Sequence, residues 1–400
     1  MIVEVFIYFL FMSVLIVVVT DILPIMNNWI GRIHIGRYND ELLWNNSITN
    51  RATSWLLKTP KIKVTDNSRL IIIDMFKGNY TKSTIQHWQK ASLLLGLIEY
   101  LKTNRDKEIE NQINIFLEKH FNQKGQWIEK PKHIDSAILA YAIMKLDFID
   151  IDKYKSALDY IWELINDHIG NDGTVEYRKF MENYRYIDTI GFICPFLSTY
   201  GIKYNKEDCI NLALKQIEEY EKYGMLKDNG IPCHVYDINS KVPLGLFGWG
   251  RGLGWFAIGL IDTWNELKGS KKYNVKLEDS IKNFAKVVIK YQQPNGGWNW
   301  TVTRSECRTD SSSTATLGWF LLNAAQLKGV SSDCLESSDK AIRYLMGVTR
   351  KSGSVDFSQG DTKDIGVYSS SFNILPFTQG FCIRSINLRV LSELQSKRVS

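Results

Sequence analysis

The sequence predicts an all-α protein: an (α/α)6 barrel of six helical hairpins, preceded by one N-terminal transmembrane helix. Three observations carry this. Six segments are apolar on nearly every side, so each must be buried all round. Six charged, amphipathic segments alternate with them, their apolar residues recurring at i, i+3, i+4 and i+7. An uncharged run stands ahead of both series. The resulting division is a membrane anchor and linker over residues 1–40 and a barrel over residues 41–400.

The run from Val5 to Val19 reads VFIYFLFMSVLIVVV. Continued through Thr20 and past Asp21 to ILPIM, it is long enough to cross a bilayer at ~1.5 Å per residue. It lacks the basic start and small-residue cleavage site of a signal peptide, which points to an uncleaved anchor. Glu4 precedes the run whereas Arg32 and Arg37 follow it, an asymmetry that places the body of the protein in the cytoplasm. The competing reading is an apolar helix docked on the globular domain.

The hairpins then follow in order. SITNRATSWLLK (47–58) is the first outer helix and ASLLLGLIEYL (91–101) the first inner one. KEIENQINIFLEKHF leads to SAILAYAIMKL (136–146), and YKSALDYIWELINDHI to TIGFICPFLSTY (189–200). KEDCINLALKQIEEYEKY leads to WFAIGLIDTW (255–264), LEDSIKNFAKVVIKYQQ to ATLGWFLLNAA (315–325), and CLESSDKAIRYLMGV to SINLRVLSEL (385–394). A period of about 45–70 residues, one outer and one inner helix each, predicts a closed ring. An open solenoid of helical pairs is the competing architecture, but its inner helices would be less uniformly apolar and its repeats more alike.

Each outer helix ends in a Gly-bearing turn: NQKGQW, GNDGTVEY, KDNGIPCHVY, QPNGGWNW and RKSGSVDF. All run from an outer helix to the next inner one, so they gather at one end of the barrel. Asp135, Asp188, His234, Trp298 and Asp310 lie in these loops or at the inner-helix starts they feed. A carboxylate at such a start can be a plain N-cap, and for Asp310 alone that reading suffices. Asp135 and Asp188 facing one aromatic mouth also have the form of a general acid/base pair for glycosidic or enol-ether chemistry. Trp249 and Trp255 bracket Arg251 in FGWGRGLGW, and Trp298 and Trp300 stand in NGGWNW. Flat rings stack on sugar faces, and Arg can clamp a uronate. The same Trp residues can equally be core, and His234 a capped loop histidine.

The net charge of +6 is diffuse, and no basic run would track a phosphate backbone, which argues against nucleic acid as a partner. The six cysteines have no CxxC or Cys/His ligand spacing and read as buried thiols. No metal or organic cofactor is suggested.

The succession HIDSAILAYAIMKL, YIDTIGFICPFLSTYG, PCHVYD, FGWGRGLGWFAIGLIDTW and DSSSTATLGWFLLNA resembles the unsaturated glucuronyl and rhamnogalacturonyl hydrolases of glycoside hydrolase families 88 and 105. The likeness runs over most of residues 80–330. It implies an (α/α)6 barrel, no cofactor, and a uronate-containing oligosaccharide or polysaccharide as partner. It also implies hydration of the vinyl ether of a 4,5-unsaturated uronate, with Asp188 as the acid/base, Asp135 as its partner carboxylate, and His234, Arg251 and Trp255 holding the uronate. Trp88, beside His87, would be a wall of the pocket. The anchor departs from the usual soluble family member, and DSSSTA stands where Glu-containing versions are common. A second functional reading is therefore a capsule or exopolysaccharide biosynthesis protein that keeps the sugar-binding barrel without this hydrolysis.

Overall fold

The computed structural model describes residues 1–60, 62, 65–78 and 87–399. The apolar N-terminal run forms α1 (Ile2–Arg32), an unbroken helix of mean hydropathy 2.8 in its most apolar window, none of which is buried against the protein. Its length and composition suffice to cross a membrane.

α2 (Glu41–Leu57) starts at Asp40, whose carboxylate accepts the Leu43 N–H at 2.7 Å. A short helix, α3 (Ile71–Phe76), precedes α4 (His87–Leu101), and α5 (Lys107–His120) is capped in turn by Asp106. A 3-10 turn at Ile134–Ser136 leads into α6 (Ala137–Met144), followed by α7 (Lys155–Asn166), α8 (Ile187–Lys203) and α9 (Glu207–Tyr223). The remainder is α10 (Gly250–Leu267), α11 (Lys271–Lys290), α12 (Ser311–Ala324), α13 (Ser331–Gly347) and α14 (Pro376–Val399).

The inner ring is α4, α6, α8, α10, α12 and α14, and each helix packs on the next. α14 packs back on α4, so the ring closes and the solenoid is excluded. The inner helices are apolar all round because they have neighbours on every side: α6 is buried without a break from Ala137 to Ile143. At the closing seam the backbones of α4 and α14 nearly touch. A Cβ on Gly380 would run into the Ser92 carbonyl, and one on Gly96 would stand 2.7 Å from the Gly380 oxygen.

Four of the outer-to-inner loops share one turn. In the first, Gly125 N–H donates to Asn122 O at 2.9 Å with φ +70°, a conformation that costs glycine nothing, and Phe121 bridges Trp127. The same turn recurs after α7, α11 and α13, so these loops rise as short β-hairpins at one end of the barrel. Five of the cysteines are buried, Cys307 is half-buried, and all are free thiols.

α1 does not stand apart from this body. Asp21 accepts the backbone N–H groups of Leu70 and Ile71 at 2.6 and 2.9 Å. Arg32 pairs with the buried Asp356 at 2.8 Å, and Arg350 donates to Asn28 at 3.0 Å.

Candidate active site

The loop-bearing end of the barrel encloses a cavity of about 740 Å³. Its floor is aromatic. Trp88 comes from the first turn of α4, Phe192 from the second turn of α8, and Trp255 from α10. Trp88 and Trp255 meet edge to face at 5.6 Å, and Phe192 lies 4.5 Å from Trp255. Arg251 and Trp255 share a helix face by their i, i+4 spacing, so the first turn of α10 presents a cation beside a ring.

Asp188 is the second residue of α8. It is not an N-cap: Tyr186 holds that position, and no side chain there caps the helix. Among the described residues its Oδ2 has no hydrogen-bond partner although it is buried, and His234 Nε2 stands 3.6 Å away. Burial pushes its carboxyl up to about 7, Arg251 only partly opposing. His234 reaches this place because strand Tyr184–Tyr186 pairs antiparallel with Val235–Asp237, and Ile187 N–H donates to the His234 carbonyl at 3.1 Å. Burial and the Arg251 charge hold the imidazole down at about 3, so it is neutral at pH 7. The Tyr368 hydroxyl accepts the Leu246 N–H and lies 3.2 Å from His234 Nδ1. In the tautomer in which that hydroxyl donates to Nδ1, the imidazole carries its proton on Nε2, on the side of Asp188.

The sequence-derived residues Trp88, Asp188, His234, Arg251 and Trp255 all line this one cavity. Asp135 lies in the 3-10 turn before α6, is 2% exposed, and is not part of the lining. Burial raises its carboxyl to about 7, Arg178 opposing, and its Oδ1 lacks a partner among the described residues. Arg251 lies in the first turn of a helix rather than in a tight turn. Two of its nitrogens already donate, to Gln359 O at 2.7 Å and Gly360 O at 2.8 Å. The glycines beside it serve packing: a Cβ on Gly250 would meet Asn299 O at 2.7 Å, and one on Gly252 the Trp249 ring at 2.7 Å.

Four other residues from this end of the barrel do not line the cavity. Trp298 is fully buried and donates to Val288 O at 2.8 Å, a core role, and Trp300 lies against Tyr368 outside the cavity. Asp310 is an N-cap: it accepts from Ser312 N and Ser313 N, each at 3.0 Å, and also from Gln359 N at 2.8 Å. His87 opens α4 but does not line the cavity.

Besides Asp74, sequence reasoning missed two carboxylates of the cavity, Asp361 and Asp364, and a second guanidinium. Asp361 lies 3.9 Å from Arg251, and burial raises its carboxyl. Arg178 lies over the Tyr177 ring, 4.0 Å from its centroid, and makes no ion pair among the described residues. The polar string QGDTKD (359–364) was the available signal for the former, since Asp361, Thr362, Lys363 and Asp364 all face the cavity.

This architecture is shared with solved structures of low sequence identity. A possible member of glycoside hydrolase family 105 from Klebsiella pneumoniae superposes with TM-score 0.74 at 14% identity, covering 88% of this chain and 93% of that one. A family 105 glycoside hydrolase from Clostridium acetobutylicum gives 0.68 at 17% identity, over 79% of this chain and 97% of that one. The unsaturated glucuronyl hydrolase of a Bacillus species, responsible for degradation of glycosaminoglycan, gives 0.65 at 14%, over 88% and 96%. No curated protein matches the chain by sequence. Glycosyl Hydrolase Family 88 matches residues 63–381, from the segment ahead of α3 into α14, and the chain belongs to that family of glycoside hydrolases.

Proposed function

We propose that this protein removes a 4,5-unsaturated uronate from the end of a glycan chain by hydrating its vinyl ether, and that α1 holds it at a membrane. The observation that carries the reading is Asp188: a buried carboxyl with an unpartnered oxygen, held near 7, on an aromatic-floored cavity. A group at that value is protonated often enough to act as an acid and ionised often enough to act as a base. The solved glucuronyl hydrolase supports the substrate class.

In this reading the protonated Asp188 delivers its proton to C4, and the C4=C5 electron pair forms the new C–H bond. The cation at C5 is shared with the ring oxygen. Water adds to C5 as Asp188, now a carboxylate, takes its proton, so the acid is regenerated. The C5 hemiketal opens to a ketone, and the hemiacetal left at C1 expels the next sugar as an alcohol. Neutral His234 orients Asp188 through Nε2–H. Trp88 and Trp255 support the faces of the sugar, and Arg251 and Arg178 supply positive charge for the uronate. Asp135 acts as the partner carboxylate of Asp188.

The test uses the full chain in detergent micelles with lyase-generated unsaturated oligosaccharides, following loss of the ultraviolet absorbance of the conjugated C4=C5 bond. Wild type removes the absorbance, and Asp188→Asn does so about 10²- to 10⁴-fold more slowly. Equal rates, or no loss with any substrate, would overturn the assignment. The second outcome favours a barrel serving polysaccharide assembly without this hydrolysis, a reading that the exposed apolar α1 supports.

A further inference from the structure

The segment that fastens α1 to the barrel is also a wall of the cavity. Residues 65–78 run from Thr65 to the end of α3, and Thr65, Asn67 and Asp74 line the cavity. Asp74 is turned inward, its Oδ2 accepting from Thr65 at 2.9 Å and Asn67 at 2.8 Å. Ile71 is buried. The other side of α3 faces away from the protein and is apolar: Leu70, Ile73, Met75 and Phe76 are exposed, Phe76 by 85%. Arg69 and Lys77 flank that patch and are exposed.

Soluble surfaces do not usually gather four large exposed apolar side chains within seven residues, whereas a short helix lying in a lipid headgroup layer does, with long cations at its ends reaching for phosphates. The patch continues onto α1. Asp21 interrupts the apolar run of α1 near its C-terminal end and caps the amide groups of Leu70 and Ile71, so α3 is held beside the last turns of that run. The same bond holds Leu70 in its left-handed conformation, φ +51°. Past Asp21, the side of α1 carrying Leu23, Met26, Trp29 and Ile30 is exposed, while Asn28 and Arg32 bind the barrel. Polar bonds thus join the last turns of α1 to the rim of the cavity.

We propose that α3 and the outer side of the last turns of α1 lie in the headgroup layer of a phospholipid bilayer, so that the cavity opens at the membrane surface. Its substrate is then a glycan chain carried on that same bilayer rather than free oligosaccharide. This rests on the reading of α1 as a membrane span. Exposed Arg69 and Lys77 match anionic headgroups, and continuity with α1 selects lipid over a protein partner.

The experiment reconstitutes the full chain into vesicles of phosphatidylcholine and phosphatidylglycerol. In a Cys307→Ser background, Phe76→Cys or Leu335→Cys is labelled with an environment-sensitive fluorophore, and the vesicles carry a headgroup-depth nitroxide lipid. Leu335 is exposed near the start of α13, at the barrel end away from the loops. The label at position 76 is quenched several-fold more than that at 335. Equal quenching in chains that still float with the vesicles overturns the contact of α3, whereas chains that do not float overturn the spanning role of α1 and the proposal with it. For the substrate, one unsaturated oligosaccharide is offered free or coupled to a lipid in the same vesicles. Ile73→Glu with Phe76→Glu slows cleavage of the lipid-coupled form about tenfold and leaves the free form unchanged. Equal effects on both forms overturn the inference.

Discussion

Asp188 and Asp135 stand at the starts of neighbouring inner helices, and burial holds both near 7, yet only Asp188 faces the cavity. Since the acid form of Asp188 begins the proposed reaction, kcat/KM falls as pH rises through about 7. Like charge on Asp361 helps to keep the Asp188 value up, so Asp361→Asn moves that falling limb to lower pH, measurable in a pH–rate profile. Stability follows the same sign. A carboxyl raised on folding stays protonated in the native state while the unfolded chain ionises from pH ~4 upward, so stability declines between pH ~4 and ~7. Asp188→Asn removes the share of that decline due to Asp188, Asp135 keeping its own, and its thermal midpoint at pH 8 exceeds that of wild type. A lower midpoint would mean that the carboxylate has ionic partners the structure does not show. Position at an inner-helix start made Asp188 legible in the sequence, but the same signal fits Asp310, which is a cap. What separates them is whether the oxygens are satisfied, a matter of contacts such as Gln359 N–H on Asp310 that lie far away in sequence.

The inner helices were readable from composition alone, because all-round burial forces all-round apolarity, and their pairing with amphipathic partners followed from periodicity. The loops were not. Tyr177 and Arg178 reach the cavity from the loop between α7 and α8, and Asp361 to Asp364 lie between the paired strands Ser358–Gln359 and Phe372–Asn373. Short pairings of two or three residues leave too faint a pattern to be seen in a single sequence. Two element-scale outcomes follow. Gly380→Ala forces a methyl group against the Ser92 carbonyl at the α4–α14 seam and costs about 3 kcal/mol or more in urea unfolding. Asp310→Ala removes the cap of α12 together with the bond to Gln359, costs about 2 kcal/mol, and raises KM by loosening the backbone that Arg251 grips.

Over the whole molecule, α1 is tied to the body by polar bonds at Asp21, Asn28 and Arg32. Asp21→Ala with Arg32→Ala therefore leaves the barrel folded but exposes the Leu70 and Ile71 amides, which exchange faster in hydrogen-exchange measurements while amides of the inner helices do not. Unchanged protection at Leu70 and Ile71 would show that α3 needs no help from α1. The ring closure bears on how the protein is made. The mouth takes residues from α4, from α8 and α10, and from the stretch just ahead of α14, while Arg251 waits for carbonyls more than a hundred residues downstream. A ribosome making this chain delivers the apolar α1 before the barrel, and the closing strand pair and α14 after the other hairpins. The nascent protein can thus have five hairpins out and no working site, and hydrolysis begins only after α14 has left the ribosomal tunnel.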